Sequence, residues 1–494
     1  MSTTTFEPVT HDDEVSLDGE GSSLYQRLAA TIQQSVELGI FRVGDKIPSV
    51  RHASRQHRLS ITTVLRAYVL LESRGIIESR PQSGYFVRPR LTAPTVRTRA
   101  QGLSVPGEGT DIAHLMLTTV HAIQRDNATP LGSPYPDPAT LPCQRIALYA
   151  NARARRSTQE ILLDGPPSGD PTFIRQLARR YVENGQQVCP DEFVVTIGAT
   201  EAIRLCLQAV ARPGDAIAVE SPCYPGMLEA IRQLGMRAVE VPCDDSGSID
   251  LGRLAVALAV QKISACLLTA NFQNPQGSQM PDEKKRELVE FVTSRGIPII
   301  ENDEYSELHF GPHHPTSLKT FDTRGLVLHC ASFSRCLTHR HRIGWALPGR
   351  FRQEVEKLKF ASTMTTPASA QLAMAEYLSH DGYNHHLRRL RKSCVQNASI
   401  MGAAVQRFFP DGTSFTLPSG GYQMWIEMPQ QLDTLTLYRE ALASGVTIAP
   451  GCMFSTKGTF NHHLRLNFSG EWTPEKEGAI RTLGQLAKAI IASA

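Results

Sequence analysis

The chain has 494 residues, 41% of them hydrophobic and 20% charged, which provides for sizeable cores and excludes a wholly disordered or fibrous protein. It contains no run of about 18 apolar residues, and its polar, acidic start lacks a secretory-signal pattern, so the cytoplasm is the expected location. The net charge of +3 conceals an asymmetry: residues 24–90 carry eleven bases against four acids, whereas residues 1–20 carry six acids and no base.

A basic unit on a near-neutral body predicts a polyanion contact at one end. Residues 1–22 are expected to be a disordered acidic tail. The ten cysteines begin at Cys143 and include no C-x-x-C pair, so reduced core thiols are expected, with no disulfide frame and no metal site.

Along the basic unit, Leu24, Leu28, Ile32 and Val36 recur at helical spacing and stop at Gly39. Pro48 and Ser49 open a second, short helix that reaches about His57. Ser60 caps a third, whose apolar face is Val64, Ala67, Tyr68, Leu70 and Leu71 and which Gly75 ends. Ile76-Ile77-Glu78 and Tyr85-Phe86-Val87 flank Arg80-Pro81-Gln82-Ser83-Gly84, a strand-turn-strand signal. Three helices and a hairpin over residues 23–90 predict a winged helix-turn-helix, whose third helix enters the major groove of double-stranded DNA. Arg51 and Arg55 then neutralise phosphates, Thr62, Thr63 and Arg66 face base edges, and Arg80, Ser83 and Gly84 form the wing tip. The stretch strongly resembles the DNA-binding domain of the GntR regulators, through Pro48-Ser49-x-Arg51, Thr62-Thr63-Val64 and the Ser83-Gly84 wing, and this adds Ser49 to the DNA-binding set. One departure is Ile61, where many members carry arginine.

Residues 91–112, with their prolines and small polar residues, read as a linker. Beyond them, β-branched runs (Phe193–Ile197, Ala216–Val219, Cys266–Thr269, Pro298–Glu301, Leu326–His329) alternate with helical stretches, which predicts an α/β domain with a mostly parallel sheet over residues 113–494. Gly198-Ala199-Thr200-Glu201 follows a strand and opens a helix, so its N–H groups and the Thr200 hydroxyl can hold a phosphate. Tyr224 lies in Glu220-Ser221-Pro222-Cys223-Tyr224-Pro225-Gly226. The segments Asn271–Gly277 and Glu301–Tyr305 each follow an apolar strand, at the carboxyl ends where open α/β sheets place ligands. Ser332-Phe333-Ser334-Arg335 comes next, seven residues before Arg342, followed by Gly344. Gly420-Gly421, Pro450–Phe454 and Leu464-Arg465-Leu466-Asn467 complete the series.

In this order the motifs resemble fold-type I aminotransferases, and the whole layout resembles the MocR subfamily of GntR regulators. The resemblance implies a multi-domain homodimer in which an aminotransferase-like domain binds pyridoxal 5'-phosphate (PLP). It assigns Ala199, Thr200, Ser332, Ser334 and Arg342 to the phosphate, Tyr224 to the pyridine face, and Asn274 and Tyr305 to the phenolic oxygen. Asp303 falls on the ring nitrogen and Arg465 on a substrate carboxylate.

The lysine of the family pattern is Arg335 here. A guanidinium with a pKa above about 12 neither attacks a carbonyl nor serves as a base, so no catalytic residue is assigned. His339-Arg340 replaces the usual Pro-Gly, and Asp164 replaces a phosphate-contacting tyrosine. The expected function is a DNA-binding transcription regulator that senses PLP, an amino acid or another small anion, with PLP held non-covalently or lost. The same residues leave two other readings: an active aminotransferase with a fused DNA-binding module, and a DNA-binding dimer whose large domain is only a scaffold.

Overall fold

The structure, a computed structural model, describes residues 23–88, 111–156, 165–380 and 382–493. The predicted acidic tail, most of the predicted linker and Asp164 lie outside the described residues. Contacts divide the chain into two compact units, within Met1–Val105 and Pro106–Ala494. No described helix is long and apolar enough to cross a membrane, and no disulfide forms among the described residues.

The first unit comprises α1 (Leu24–Glu37), α2 (Val50–His57), α3 (Ile61–Ser73) and the antiparallel hairpin β1 (Ile77–Arg80) and β2 (Gly84–Val87). Local chemistry sets the boundaries. The Ser49 hydroxyl accepts from the His52 N–H at 3.3 Å and the Ser60 hydroxyl from the Thr63 N–H at 3.1 Å, satisfying donors that a helix start leaves unpaired. Residues 44–47 run beside β2, where the Ile47 N–H donates to the Tyr85 carbonyl and the Val87 N–H to the Asp45 carbonyl. Leu28, Ile32, Ile47, Ala53, Val64, Tyr68, Leu71, Ile77 and Val87 close one core. Tyr68 is wholly buried and donates its hydroxyl to the Pro48 carbonyl at 2.6 Å, tying the third helix to the start of the second.

The second unit opens with α4 (Ile112–Arg125). Asp111 and Ile112, read as linker from sequence, cap and begin this helix, with the Asp111 carboxylate accepting from the His114 N–H at 3.0 Å. Then come α5 (Cys143–Arg156), α6 (Pro171–Glu183), β3 (Val194–Thr196), α7 (Ala199–Val210), β4 (Ala216–Ser221), α8 (Pro225–Gln233), β5 (Arg237–Pro242), α9 (Leu251–Val260), β6 (Ala265–Leu268), α10 (Asp282–Thr293), β7 (Ile299–Asn302), β8 (Val327–Ser332) and β9 (Gly344–Leu347). These strands make one sheet in the order β3-β9-β8-β7-β6-β4-β5. Only β9 runs antiparallel to its neighbours. The central strands are buried on both faces, which is why they read as short continuous apolar runs. The remainder is α11 (Arg352–Ser362), α12 (Ala368–Ser379), α13 (Gly382–Phe408), β10 (Ser414–Phe415), β11 (Gln423–Glu427), α14 (Thr434–Ala443), β12 (Ala449–Pro450), β13 (His463–Asn467) and α15 (Pro474–Ser493), with the strands forming a smaller antiparallel sheet β10-β11-β13-β12.

Candidate functional site

The carboxyl ends of β3, β6, β7 and β8 bring the sequence motifs together. Ala199 and Thr200 form the first turn of α7, Ala199 buried and Thr200 exposed. Arg342, at a left-handed φ of 49°, packs against Gly198: a Cβ on that glycine would lie 2.5 Å from the guanidinium. Arg342 also donates to the Ser334 hydroxyl at 3.3 Å, and the Ser334 N–H to the Ser332 hydroxyl at 3.2 Å. A helix N-terminus, the Ser334 hydroxyl and a guanidinium thus form a cup with the chemistry to hold a phosphate. Its tightness depends on Gly344, where a Cβ would fall 2.5 Å from the Gly198 backbone.

Beside the cup sits Arg335, buried to 4% exposure. It donates to the Pro134 carbonyl at 2.7 Å and to the Glu304 carboxylate at 3.2 Å. Three tyrosine rings surround its guanidinium, those of Tyr135, Tyr305 and Tyr224, at 4.9, 5.6 and 5.9 Å. Burial opposes its charge, but Glu304 and the nearby phenols outweigh that, so Arg335 stays protonated. The other Glu304 oxygen accepts from the Ser332 hydroxyl at 2.7 Å. A serine has a single hydroxyl proton, so Ser332 has none left for a phosphate while this contact stands.

Further along the sheet ends, Asp303 accepts from the Asn271 amide at 3.1 Å. Burial, then the Glu301 carboxylate, pushes the Asp303 carboxyl above its ordinary range. Glu301 itself accepts from His329 at 2.8 Å, and the other His329 nitrogen meets the Tyr181 hydroxyl at 2.8 Å. The Tyr305 hydroxyl accepts from Gln423 at 2.8 Å, and the Tyr422 hydroxyl donates to the Pro134 carbonyl at 3.0 Å. Arg465 is buried beside Phe454 and donates to the Asn274 side-chain oxygen Oδ1 at 3.4 Å. Burial, then Arg340, Arg342 and Arg335, lowers the His339 imidazole below its ordinary value, which marks a cationic rim.

No lysine joins these groups among the described residues. Lys319 binds Asp322 and the Val327 carbonyl at the opposite end of β8, and Lys357 is exposed on α11. The buried Lys285, Lys359 and Lys476 donate to Thr316, Thr363 and the Ser469 carbonyl. Glu304, Tyr135, Tyr422 and Gln423 were not foreseen from the sequence. The one available signal was Arg335 itself, since a buried guanidinium requires a buried acid, and Glu304 adjoins Asp303.

In the first unit, Arg51, Arg55, Thr62, Arg66 and Ser83 are exposed and Gly84, at φ +102°, closes the hairpin. Two of the expected DNA-binding side chains have partners within the unit. The Thr63 residue is half-buried, and its hydroxyl lies 2.7 Å from the Ser60 hydroxyl that caps α3. Arg80 folds back over the Phe86 ring at 4.5 Å and donates to Glu78 at 2.8 Å, because a neighbouring acid on the same strand face is closer than any group at the tip. Ser49 is spent as the α2 cap.

Residues 132–479 match the family Aminotransferase class I and II, and residues 24–87 match Bacterial regulatory proteins, gntR family. The α-aminoadipate aminotransferase LysN of Thermus thermophilus superposes with a TM-score of 0.70 at 27% identity, over 78% of this chain and 98% of that one. The large unit therefore has the class I and II aminotransferase fold, joined to a GntR helix-turn-helix. Over 466 residues the chain is 36% identical to the HTH-type transcriptional regulator YdcR of Escherichia coli (strain K12), covering 94% of this chain and 98% of YdcR. It is 27% identical to the HTH-type transcriptional regulator TauR of Rhodobacter capsulatus, over 88% of this chain and 90% of TauR. The chain belongs to the GntR-type transcriptional regulators that carry an aminotransferase-like domain, the MocR-like group.

Proposed function

We propose that the aminotransferase-like domain of this DNA-binding regulator is a ligand sensor without transaminase chemistry, working as a cytoplasmic homodimer. The observation that carries the reading is the buried Arg335, paired with Glu304 where the fold's amine is expected. A guanidinium stays protonated and delocalised, so it forms no covalent link to a carbonyl.

The remaining residues fit PLP as a non-covalent guest. Ser334, Arg342 and the α7 N-terminus suit its phosphate, and the raised Asp303 carboxyl suits a cationic ring nitrogen. When bound, PLP supplies an electron sink. Tyr224 would cover its ring, Tyr305 and Asn274 would face its phenolic oxygen, and Arg465 would take a carboxylate. A ligand regulates DNA binding to the extent that it binds one domain arrangement better than another.

The test is absorbance of the full-length protein with and without added PLP, followed by borohydride and peptide mass spectrometry, on wild type and Arg335→Lys. Expected are no lysine adduct in wild type and a new one at position 335 in the variant. A pocket lysine fixed to PLP in the wild type overturns the proposal in favour of an active transaminase. Absence of any ligand effect on DNA affinity overturns it in favour of a scaffold.

A further inference from the structure

Beside its core face, α3 carries a second apolar stripe that the fold leaves exposed. Val64, Ala67, Tyr68 and Leu71 are fully buried and already give the helix its core face. Along the edge of that face, Ile61, Leu65 and Val69 are 51%, 40% and 58% exposed. Single exposed apolar residues are ordinary, but three at successive four-residue intervals make a continuous strip along one helix.

The surroundings of this strip are basic. Thr62 and Arg66 lie beside it, and Arg51, Arg55 and Arg58 of the preceding helix and cap are exposed. The helix has no acid before Glu72, whose carboxylate is occupied by the Ser79 N–H at 3.0 Å. An apolar strip within a cationic surface complements a polyanion that itself presents apolar groups. The major groove of DNA does so at one kind of site, the 5-methyl group of thymine. In a helix-turn-helix the first turns of the second helix of the motif approach the base edges, and here those turns present Ile61 and Leu65.

We propose that Ile61 and Leu65 read thymine methyl groups, making them specificity-determining residues for the operator. The proposal rests on the DNA-binding reading and on α3 as the groove helix. Four helical residues rise about 6 Å, close to two base steps of about 3.4 Å. The two side chains therefore span thymines about two steps apart. Val69, two turns from the helix start, lies farther from the groove floor and serves as the control.

The test uses the full-length protein and duplexes that it selects from a random pool at about 0.15 M salt. Each thymine in a selected site is then replaced by deoxyuracil, which lacks only the methyl, and by 5-bromodeoxyuracil, which restores its bulk. At one or two positions per half-site, uracil should weaken binding about fourfold, the equivalent of one buried methyl-sized group, and bromouracil should restore it. Ile61→Ala or Leu65→Ala should bind the thymine and uracil duplexes alike at its own position, while Val69→Ala keeps the discrimination. Ile61→Arg should move the preference at its position toward guanine.

A selected site indifferent to uracil everywhere overturns this proposal alone, as does methyl discrimination that persists in both alanine variants. Loss of self-association in those variants, with methyl-indifferent binding by the wild type, assigns the strip to a second copy of the chain and also overturns it. If no duplex is selected at all, the DNA-binding reading falls with it.

Discussion

Replacing Glu304 by Gln keeps its shape but removes the only carboxylate in contact with Arg335 among the described residues. Both groups are buried, at 4% and 8% exposure, so solvent cannot take over the role of the lost charge. Removing one partner of a buried ion pair costs about 3–5 kcal/mol. The amide oxygen can still accept one hydrogen bond, and the Pro134 carbonyl and three tyrosine faces remain, so the lower end, about 3 kcal/mol, is expected. Adding Arg335→Met removes the stranded charge, and the double variant should regain most of that loss. The measurement is urea unfolding followed by tryptophan fluorescence. Trp345, Trp425 and Trp472 all lie in the large unit, so the transition reports that unit alone. A cost below about 1 kcal/mol, the value of an exposed pair, refutes the reasoning, as does a double variant less stable than Glu304→Gln.

Glu304→Gln also releases the Ser332 hydroxyl and removes a negative charge beside the phosphate cup, so calorimetric titration should show tighter PLP binding than in wild type. Burial raises Glu220 to about 8 from an ordinary 4.5, with Thr269 N–H contacts only partly opposing it. Its contribution to stability is complete below the ordinary value and is lost as pH rises through the folded one. Glu220→Gln should therefore gain on wild type by up to about 1.4 kcal/mol per pH unit between pH 5 and 8. Parallel urea profiles across that range would remove the assignment. Gly344→Ala drives a Cβ into the Gly198 backbone and should both destabilise the large unit and abolish phosphate protection against thermal unfolding, whereas Gly311→Ala, with open space around it, should do neither. Arg51→Ala should weaken binding to every duplex alike and reduce the slope of log affinity against log salt by about 1.

Much of the fold was legible because its signals are local. The Ser49 and Ser60 caps, the four-residue period of the first helix and the glycine at residue 84 each act within a few residues of chain, and the structure has helices and hairpin at those places. The five apolar runs correspond to β3, β4, β6, β7 and β8. The strands β5 and β9 carried no comparable signal: β5 begins with an exposed arginine at the sheet edge, and β9 follows a loop dense in histidine and arginine. Side-chain direction was the least legible, as Arg80 over the Phe86 ring illustrates, because a nearby hydrogen-bond partner decides it after the backbone is in place.

The sequence alone determined the charge of the side chain at 335, since an arginine gives up no proton at neutral pH whatever surrounds it. It also determined that the basic unit has the elements of a DNA reader. Where the charge of Arg335 goes was decided by tertiary structure, through Glu304 and Pro134, which lie 31 and 201 residues away along the chain. The same holds for the exposed strip on α3. Its residues are visible in the sequence, but only packing of the adjoining face into the core leaves Ile61 and Leu65 exposed. Charge compensation and burial depend on which distant segments meet, and the sheet and helices set that after every local preference has been satisfied.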